Sequence, residues 1–222
     1  MTLDKSTIQY ILYDLDGTLT DSARGIVNSF KYCLSELGIT GWDDKALLKF
    51  VGPPLRESFG VYLGMDEAGV DNAIKIYRTY YADKGIFENS VYDGIPEALE
   101  RLRQAGYVQA VATSKPEVYA KKILEKFELS EYFEDICGIP LGDESMTKAQ
   151  VIAESMERLG ITDKSQVVMI GDRDYDIKGA HSNGIPCIGV TYGYGSREEL
   201  ESAGADEIVD NPSEILHSGS SV

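Results

Sequence analysis

The sequence predicts an α/β fold: a doubly wound parallel sheet core with an all-helical segment inserted after the first strand. Three observations carry this. From Tyr92 onward, short apolar runs rich in Ile, Val and Tyr alternate with amphipathic stretches, which is the pattern of strands joined by crossover helices. One further apolar run, Ile8 to Tyr13, stands alone near the N-terminus. Between it and the next run lies a stretch of helical pattern too long for one crossover.

Taken in order, the strands are expected at Ile8–Tyr13, Val108–Thr113, Asp135–Gly138, Val167–Ile170, Cys187–Thr191 and Glu207–Val209. Pro96 and Pro116 mark first helical turns, where a fixed φ is useful, and Gly106, Gly160 and Gly184 fall just past last turns, where glycine's access to positive φ helps. In the helical stretch, Ser22, Asp43 and Pro54 are start signals, with Gly38 and Gly52 as stops. The expected division is therefore a core of residues 1–19 and 87–222 and a helical cap of residues 20–86. The cap carries Phe30, Tyr32, Trp42, Phe50, Phe59, Tyr62, Tyr77, Tyr80 and Tyr81, which a small bundle needs as filling. The tail from His217 to Val222, with Gly219 among serines, is expected to fray.

Composition narrows the function. At 222 residues, 43% hydrophobic and 26% charged, the chain reads as an ordinary globular protein. It has no apolar run of membrane-spanning length, and Met1 to Gln9 show no secretion pattern, so a cytoplasmic protein without a membrane partner is expected. A monomer or weak homodimer is expected. The net charge of −16 repels polyanions and argues against a nucleic acid polymer as partner. An anionic small substrate then requires a local cluster of positive charge. Cys33, Cys137 and Cys187 are too scattered for a disulfide framework or thiolate zinc site. None has an arginine six positions later, so the phosphate loop of cysteine-dependent phosphatases is absent. Only His181 and His217 are available as imidazole ligands, which disfavours a binuclear metallophosphatase.

The densest local signal is Asp14-Leu15-Asp16-Gly17-Thr18, directly after the first strand. Residues two apart in a strand face the same way, and ligands of open α/β sheets bind beyond the carboxyl ends of strands. Asp14 and Asp16 therefore face one crevice, and Gly17 lets the chain turn and expose backbone N–H groups to an anion. Two carboxylates this close repel unless a cation or shared proton offsets them. Magnesium, which takes oxygen ligands and shares sites with phosphate, is the natural cofactor. A lone Asp-x-Asp is as readily a simple turn, but four fixed residues match by accident in such a chain only about once in a thousand.

Three further signals lie at strand ends or helix starts. Thr113 and the Ser114 amide can meet a phosphoryl oxygen where a helix begins, although Thr and Ser there also serve as plain N-caps. Lys148 stands in a first helical turn, against the helix dipole, a position that favours a negative neighbour. Asp172 ends the strand Val167–Ile170 and Asp176 follows four residues later on the same helical face, although acidic residues also stabilise helix starts. Asp174 is expected to be solvated. Together these groups supply a nucleophile, a proton donor, a metal site and positive charge, the parts that phosphoryl transfer from a monoester requires.

In all four motifs, and in the place of its helical segment, the chain resembles the haloacid dehalogenase superfamily of phosphatases over nearly its whole length. The resemblance implies Asp14 as nucleophile and Asp16 as general acid and base. Relatives that cleave carbon–halogen bonds lack that second Asp, so Asp16 favours phosphatase or phosphomutase chemistry. It further implies that Thr113 and the Ser114 amide bind the phosphoryl group and that Lys148 steadies Asp14 and the transferring charge. Magnesium would be held by Asp14, the backbone carbonyl of Asp16 and Asp172, with Asp176 as a further ligand or a support behind them. Lys115 falls where many relatives carry a residue next to the phosphate site, with a role that varies among them.

Phe50-Val51-Gly52-Pro53-Pro54-Leu55, Ala112-Thr113-Ser114-Lys115-Pro116 and Tyr192-Gly193-Tyr194-Gly195-Ser196 are similar to the phosphoglycolate phosphatase-like group, and within it to proteins described as 5'-nucleotidases. The substrate expected on that basis is a small phosphate monoester, a 5'-mononucleotide first and phosphoglycolate second. Arg56 and a spare aromatic of the cap would help to choose it. A phosphomutase shares the same core. A silent phospho-ligand sensor would have no need of both Asp14 and Asp16.

Overall fold

The computed structural model describes residues 3–142 and 145–217, so the tail beyond His217 lies outside the described residues. The backbone falls into two compact units, Met1–Leu19 with Val91–Val222, and Thr20–Ser90. In chain order the elements begin with β1 (Tyr10–Tyr13), β2 (Thr20–Asp21), α1 (Ala23–Glu36), α2 (Asp44–Leu47), α3 (Leu55–Glu57), α4 (Glu67–Asp83) and β3 (Ser90–Val91). They continue with α5 (Ile95–Gln104), β4 (Val108–Pro116), α6 (Glu117–Lys126), β5 (Asp135–Ile139) and α7 (Lys148–Arg158). The last are β6 (Val167–Gly171), α8 (Asp174–Ser182), β7 (Cys187–Val190), α9 (Arg197–Ala203) and β8 (Glu207–Val209).

In the first unit six parallel strands lie in the order β5-β4-β1-β6-β7-β8. The chain travels outward from β1 through β4 to β5, then recrosses to build β6, β7 and β8 on the other side. The winding thus reverses at β1, which is where a crevice opens beyond the carboxyl ends of such a sheet. Ile11, Leu12, Tyr13 and all of Val167–Ile170 are buried, because both faces are covered and the strands must be apolar throughout.

On one face Leu12, Ala110, Ala112, Val167 and Met169 pack with Val151, Ile152 and Met156 of α7 and Ile177 and Ala180 of α8. Full burial of each large aliphatic is worth roughly 1.5–3 kcal/mol, so this layer fixes α7 and α8 against the sheet. On the other face the Tyr13 hydroxyl donates to Gln109 Oε1 at 2.9 Å and the Gln109 amide donates to the Leu99 carbonyl of α5 at 3.0 Å. The buried polar groups are thereby satisfied.

Register sets the height of the strand ends. Tyr13 lies opposite Val111 and Ile170, and the Asp14 amide extends the ladder by donating to the Ile170 carbonyl at 2.9 Å. Asp14 is therefore level with Ala112 and Gly171, and Thr113 and Asp172 stand one residue beyond.

The second unit is mostly helical. Its centre is Phe30 of α1, with ring centroids 4.8 Å from Phe50, 5.0 Å from Phe59 and 5.0 Å from Tyr77. Asp43 and Asp66 cap α2 and α4 by accepting the Ala46 and Gly69 amides, each at 2.8 Å. Two details differ from the sequence reading. Thr20–Asp21 is a short strand and not helix. The unit also runs to Ser90 and not to Ile86, because residues 88 and 89 bond back to its beginning. Glu88 accepts the Gly25 amide through its carbonyl at 3.0 Å, and the Asn28 side chain at 2.9 Å. The Asn89 amide reaches the Thr20 hydroxyl at 3.3 Å.

Candidate active site

β1, β4 and β6 deliver Asp14, Thr113 and Asp172 to one end of the sheet, and the first turns of α7 and α8 add Lys148 and Asp176. Lys148 opens α7 after a capping box in which Thr147 accepts the Gln150 amide at 3.3 Å and the Gln150 side chain accepts the Thr147 amide at 2.8 Å. Its ammonium lies 2.7 Å from Asp14 Oδ1 and 2.8 Å from Asp176 Oδ1, with the side chain 6% exposed. Burial alone would lower the Lys148 pKa, but the charges of Asp14 and Asp176 outweigh it and hold the ammonium above its usual range. That answers the unfavourable place of a lysine at a helix start.

Asp16 has a different partner. Lys115 Nζ stands 2.7 Å from Asp16 Oδ2, and its side chain is 5% exposed. The contact arises from a break in register between Thr113 and Pro116, where β4 slips against β5. Gly138 makes room for it, since a Cβ there would lie 2.5 Å from the Lys115 carbonyl. The same break corrects the reading of Ser114. Its amide does not open a helix, because β4 continues to Pro116 and α6 starts at Glu117. The Thr113 hydroxyl accepts the Lys115 amide at 3.2 Å and is buried.

Asp14, Asp172 and Asp176 each offer a carboxylate oxygen within 4.8 Å of the others. Asp172 is fully buried and accepts the Tyr194 amide at 2.8 Å and the Thr18 hydroxyl at 3.4 Å. Burial, then the charges of Asp176 and Asp14, hold its carboxyl well above the ordinary range, and the Tyr194 amide and Arg173 offset this only in part. Burial likewise raises Asp176, against the pull of Lys148. Three carboxylates against one ammonium leave an excess of negative charge in a buried space. Asp16 Oδ1 is likewise buried without a hydrogen-bond partner. An all-oxygen, charge-rich donor set of this kind suits a hard divalent cation.

The cradle around Asp172 is built from glycines. A Cβ on Gly17, whose φ is +86°, would fall on the Asp172 carboxylate, and one on Gly193 would meet the Gly17 carbonyl and the Asp172 side chain. Gly17 was legible as a turn residue. The Tyr194 amide and the Gly193 cradle carried no assigned role in the sequence, although the alternation Tyr192-Gly193-Tyr194-Gly195 signals a close backbone approach. Asp174, expected to be solvated, pairs with Lys178. His181 does not join the cluster; it pairs with Asp206 at 2.8 Å. Arg56 pairs with Asp71 at 2.5 Å within the helical unit.

Residues 11–190 match the model of the haloacid dehalogenase-like hydrolase family. The chain belongs to that family. It is 43% identical over 192 residues to a 5'-nucleotidase of Pseudomonas aeruginosa, covering 86% of each chain. It is 39% identical over 193 residues to tyrosine-protein kinase PtkA of Mycobacterium tuberculosis, covering 87% of this chain and 65% of that one. Relatives named phosphoglycolate phosphatase share 28% to 34% identity. Among solved structures, that of a predicted phosphatase from Clostridium acetobutylicum superposes with a TM-score of 0.90 at 50% identity, over 94% of this chain and 96% of that one. Among the described residues, no helix is long and apolar enough to cross a membrane.

Proposed function

We propose that this haloacid dehalogenase-like phosphatase hydrolyses a small phosphate monoester through a phosphoryl-enzyme on Asp14, with magnesium as cofactor and a 5'-mononucleotide as substrate. The observation that carries the reading is the separate pairing of the two carboxylates, Asp14 with Lys148 and Asp16 with Lys115, at distances of 2.7 Å each. Lys148 also spans to Asp176, which fixes the side from which Asp14 presents its carboxylate. The two residues are thereby prepared for different tasks.

In the first step an Asp14 oxygen bonds to phosphorus, the ester oxygen departs, and Asp16 gives it a proton. In the second, water bonds to phosphorus, Asp16 takes its proton, and the bond to Asp14 breaks to release phosphate. The Thr113 hydroxyl and Ser114 amide hold phosphoryl oxygens, and Lys148 stabilises the charge that develops on them. Asp14, Asp172 and the Asp16 carbonyl would hold magnesium, with Asp176 behind them, and the ion would offset phosphoryl charge that the chain, at −16 overall, otherwise repels.

The choice of a mononucleotide rests on the Pseudomonas relative and on the helical unit, proposed as the specificity cap. That unit keeps Phe87 46%, Tyr62 41% and Tyr32 37% exposed, while Phe30, Phe50, Phe59, Tyr77 and Tyr81 fill its interior. The test is phosphate release from a 5'-mononucleotide and from phosphoglycolate, without a bisphosphate activator. The expected result is a higher kcat/KM for the nucleotide, with the difference reduced by Arg56→Ala. A tenfold preference for phosphoglycolate would sink the nucleotide assignment and leave the hydrolysis intact.

A further inference from the structure

We infer that Glu199, on the first turn of α9, is a positioning residue for the metal-binding carboxylates Asp172 and Asp176. The inference rests on the metal reading proposed above. Glu199 Oε1 accepts two hydrogen bonds from the turn between those residues: Arg173 Nε donates at 2.7 Å and the Asp174 backbone amide at 3.1 Å. The Arg173 amide, on the same turn, donates to Asp176 Oδ2 at 3.0 Å. One carboxylate on α9 thus holds the segment that joins Asp172 to Asp176 by both its backbone and its side chain.

α9 is itself anchored to Asp172. Ser196 caps the helix by accepting the Glu199 amide at 3.1 Å, and two residues before it the Tyr194 amide donates to Asp172 Oδ2 at 2.8 Å. Between them a Cβ on Gly195 would fall on the Asp172 carbonyl, so the strand-to-helix loop lies directly on the metal-site backbone. Asp14, Asp172 and Asp176 carry surplus negative charge that the Lys148 ammonium offsets only in part, so they tend to move apart when no metal ion is present. A brace on the backbone that joins two of them keeps them within reach of one ion. Groups that orient metal ligands from behind typically alter affinity by 10–100-fold when removed.

Stability and metal affinity separate this role from ordinary packing. The side chains of Arg173 and Glu199 are 20% and 28% exposed, so the pair is half-buried, and a hydrogen bond to a charged group so placed contributes more to folding than one between neutral groups. Glu199→Ala should therefore lower Tm by about 3–12 °C and leave the chain folded at about 25 °C, yet raise the magnesium dissociation constant, measured by calorimetry on the full chain, about tenfold or more. Glu199→Gln should recover most of the affinity, because its amide oxygen still accepts both N–H groups. Arg173→Met, which removes the pair from its other end, should weaken magnesium binding as Glu199→Ala does. The exposed neighbour Glu198→Gln is the control and should bind as the parent does. Parent-like affinity, within twofold, in folded Glu199→Ala overturns the inference, and so does a loss that Glu199→Gln shares in full. Should the unaltered chain bind no magnesium, the metal reading itself fails, which is a separate outcome.

Discussion

Replacing Lys148 by Met removes the ammonium from between Asp14 and Asp176 while keeping most of the buried stem that packs near Gly179. The three carboxylates then face one another with no buried cation between them. Breaking a buried ion pair from one side costs about 3–5 kcal/mol, and for a chain of this size each kcal/mol moves Tm by roughly 2–4 °C. Metal-free Lys148→Met should therefore melt about 6–20 °C below the metal-free parent at pH 7. The pH dependence gives a second, signed check. A carboxyl whose folded pKa is raised binds its proton more tightly in the folded state, so its contribution is present at low pH and lost as pH rises through the folded value. Asp172 and Asp176 are both raised, and removing Lys148 raises Asp176 further, since that lysine is what pulls it down. The deficit of the variant should shrink as pH falls from 7 toward 5. Differential scanning calorimetry across that range measures both effects. A deficit under 2 °C at pH 7, or one that grows on acidification, would refute the electrostatic reading of the cluster.

Two other substitutions probe the remaining geometry. Asp16→Asn should reduce turnover about a hundredfold or more by removing the proton donor and acceptor, with magnesium affinity retained; a change confined to metal affinity would make Asp16 a ligand and not the acid. Gly193→Ala places a methyl group against the Gly17 carbonyl and Asp172, neither of which can yield without moving the site. It should cost about 1–3 kcal/mol and weaken magnesium binding, whereas Gly60→Ala, which meets only Val70 at 3.6 Å, should leave the metal titration as it was.

The core was legible because a doubly covered parallel sheet writes itself as contiguous apolar runs, and because Asp14, Lys148, Asp172 and Asp176 stand at ends that periodicity locates. Asp14 and Asp172 meet through the register of β1 with β6, and the packing of α7 and α8 on the sheet brings Lys148 and Asp176 to them. What was not legible depends on backbone detail. The Lys115 contact with Asp16 needs the slip between Thr113 and Pro116, and hydrophobic pattern does not encode a slip. For the same reason the Ser114 amide was read as a helix start. The Tyr194 amide that holds Asp172 is a backbone group, so no residue type advertises it. Glu199 reads in sequence as one more acid in the first turn of a helix, and only the fold of the β7–α9 loop brings it to Arg173.

The central claim, that Asp14 carries the phosphoryl group, is tested most directly by trapping. Enzyme turning over a 5'-mononucleotide with magnesium is quenched within milliseconds and reduced with borohydride, which converts an acyl phosphate of aspartate to homoserine. Peptide mass spectrometry should then find homoserine at position 14 and at no other aspartate, with none formed when substrate is omitted, and Asp14→Asn should be folded and inactive. Unmodified Asp14 in an enzyme that is releasing phosphate, or continued release by Asp14→Asn, would contradict the account.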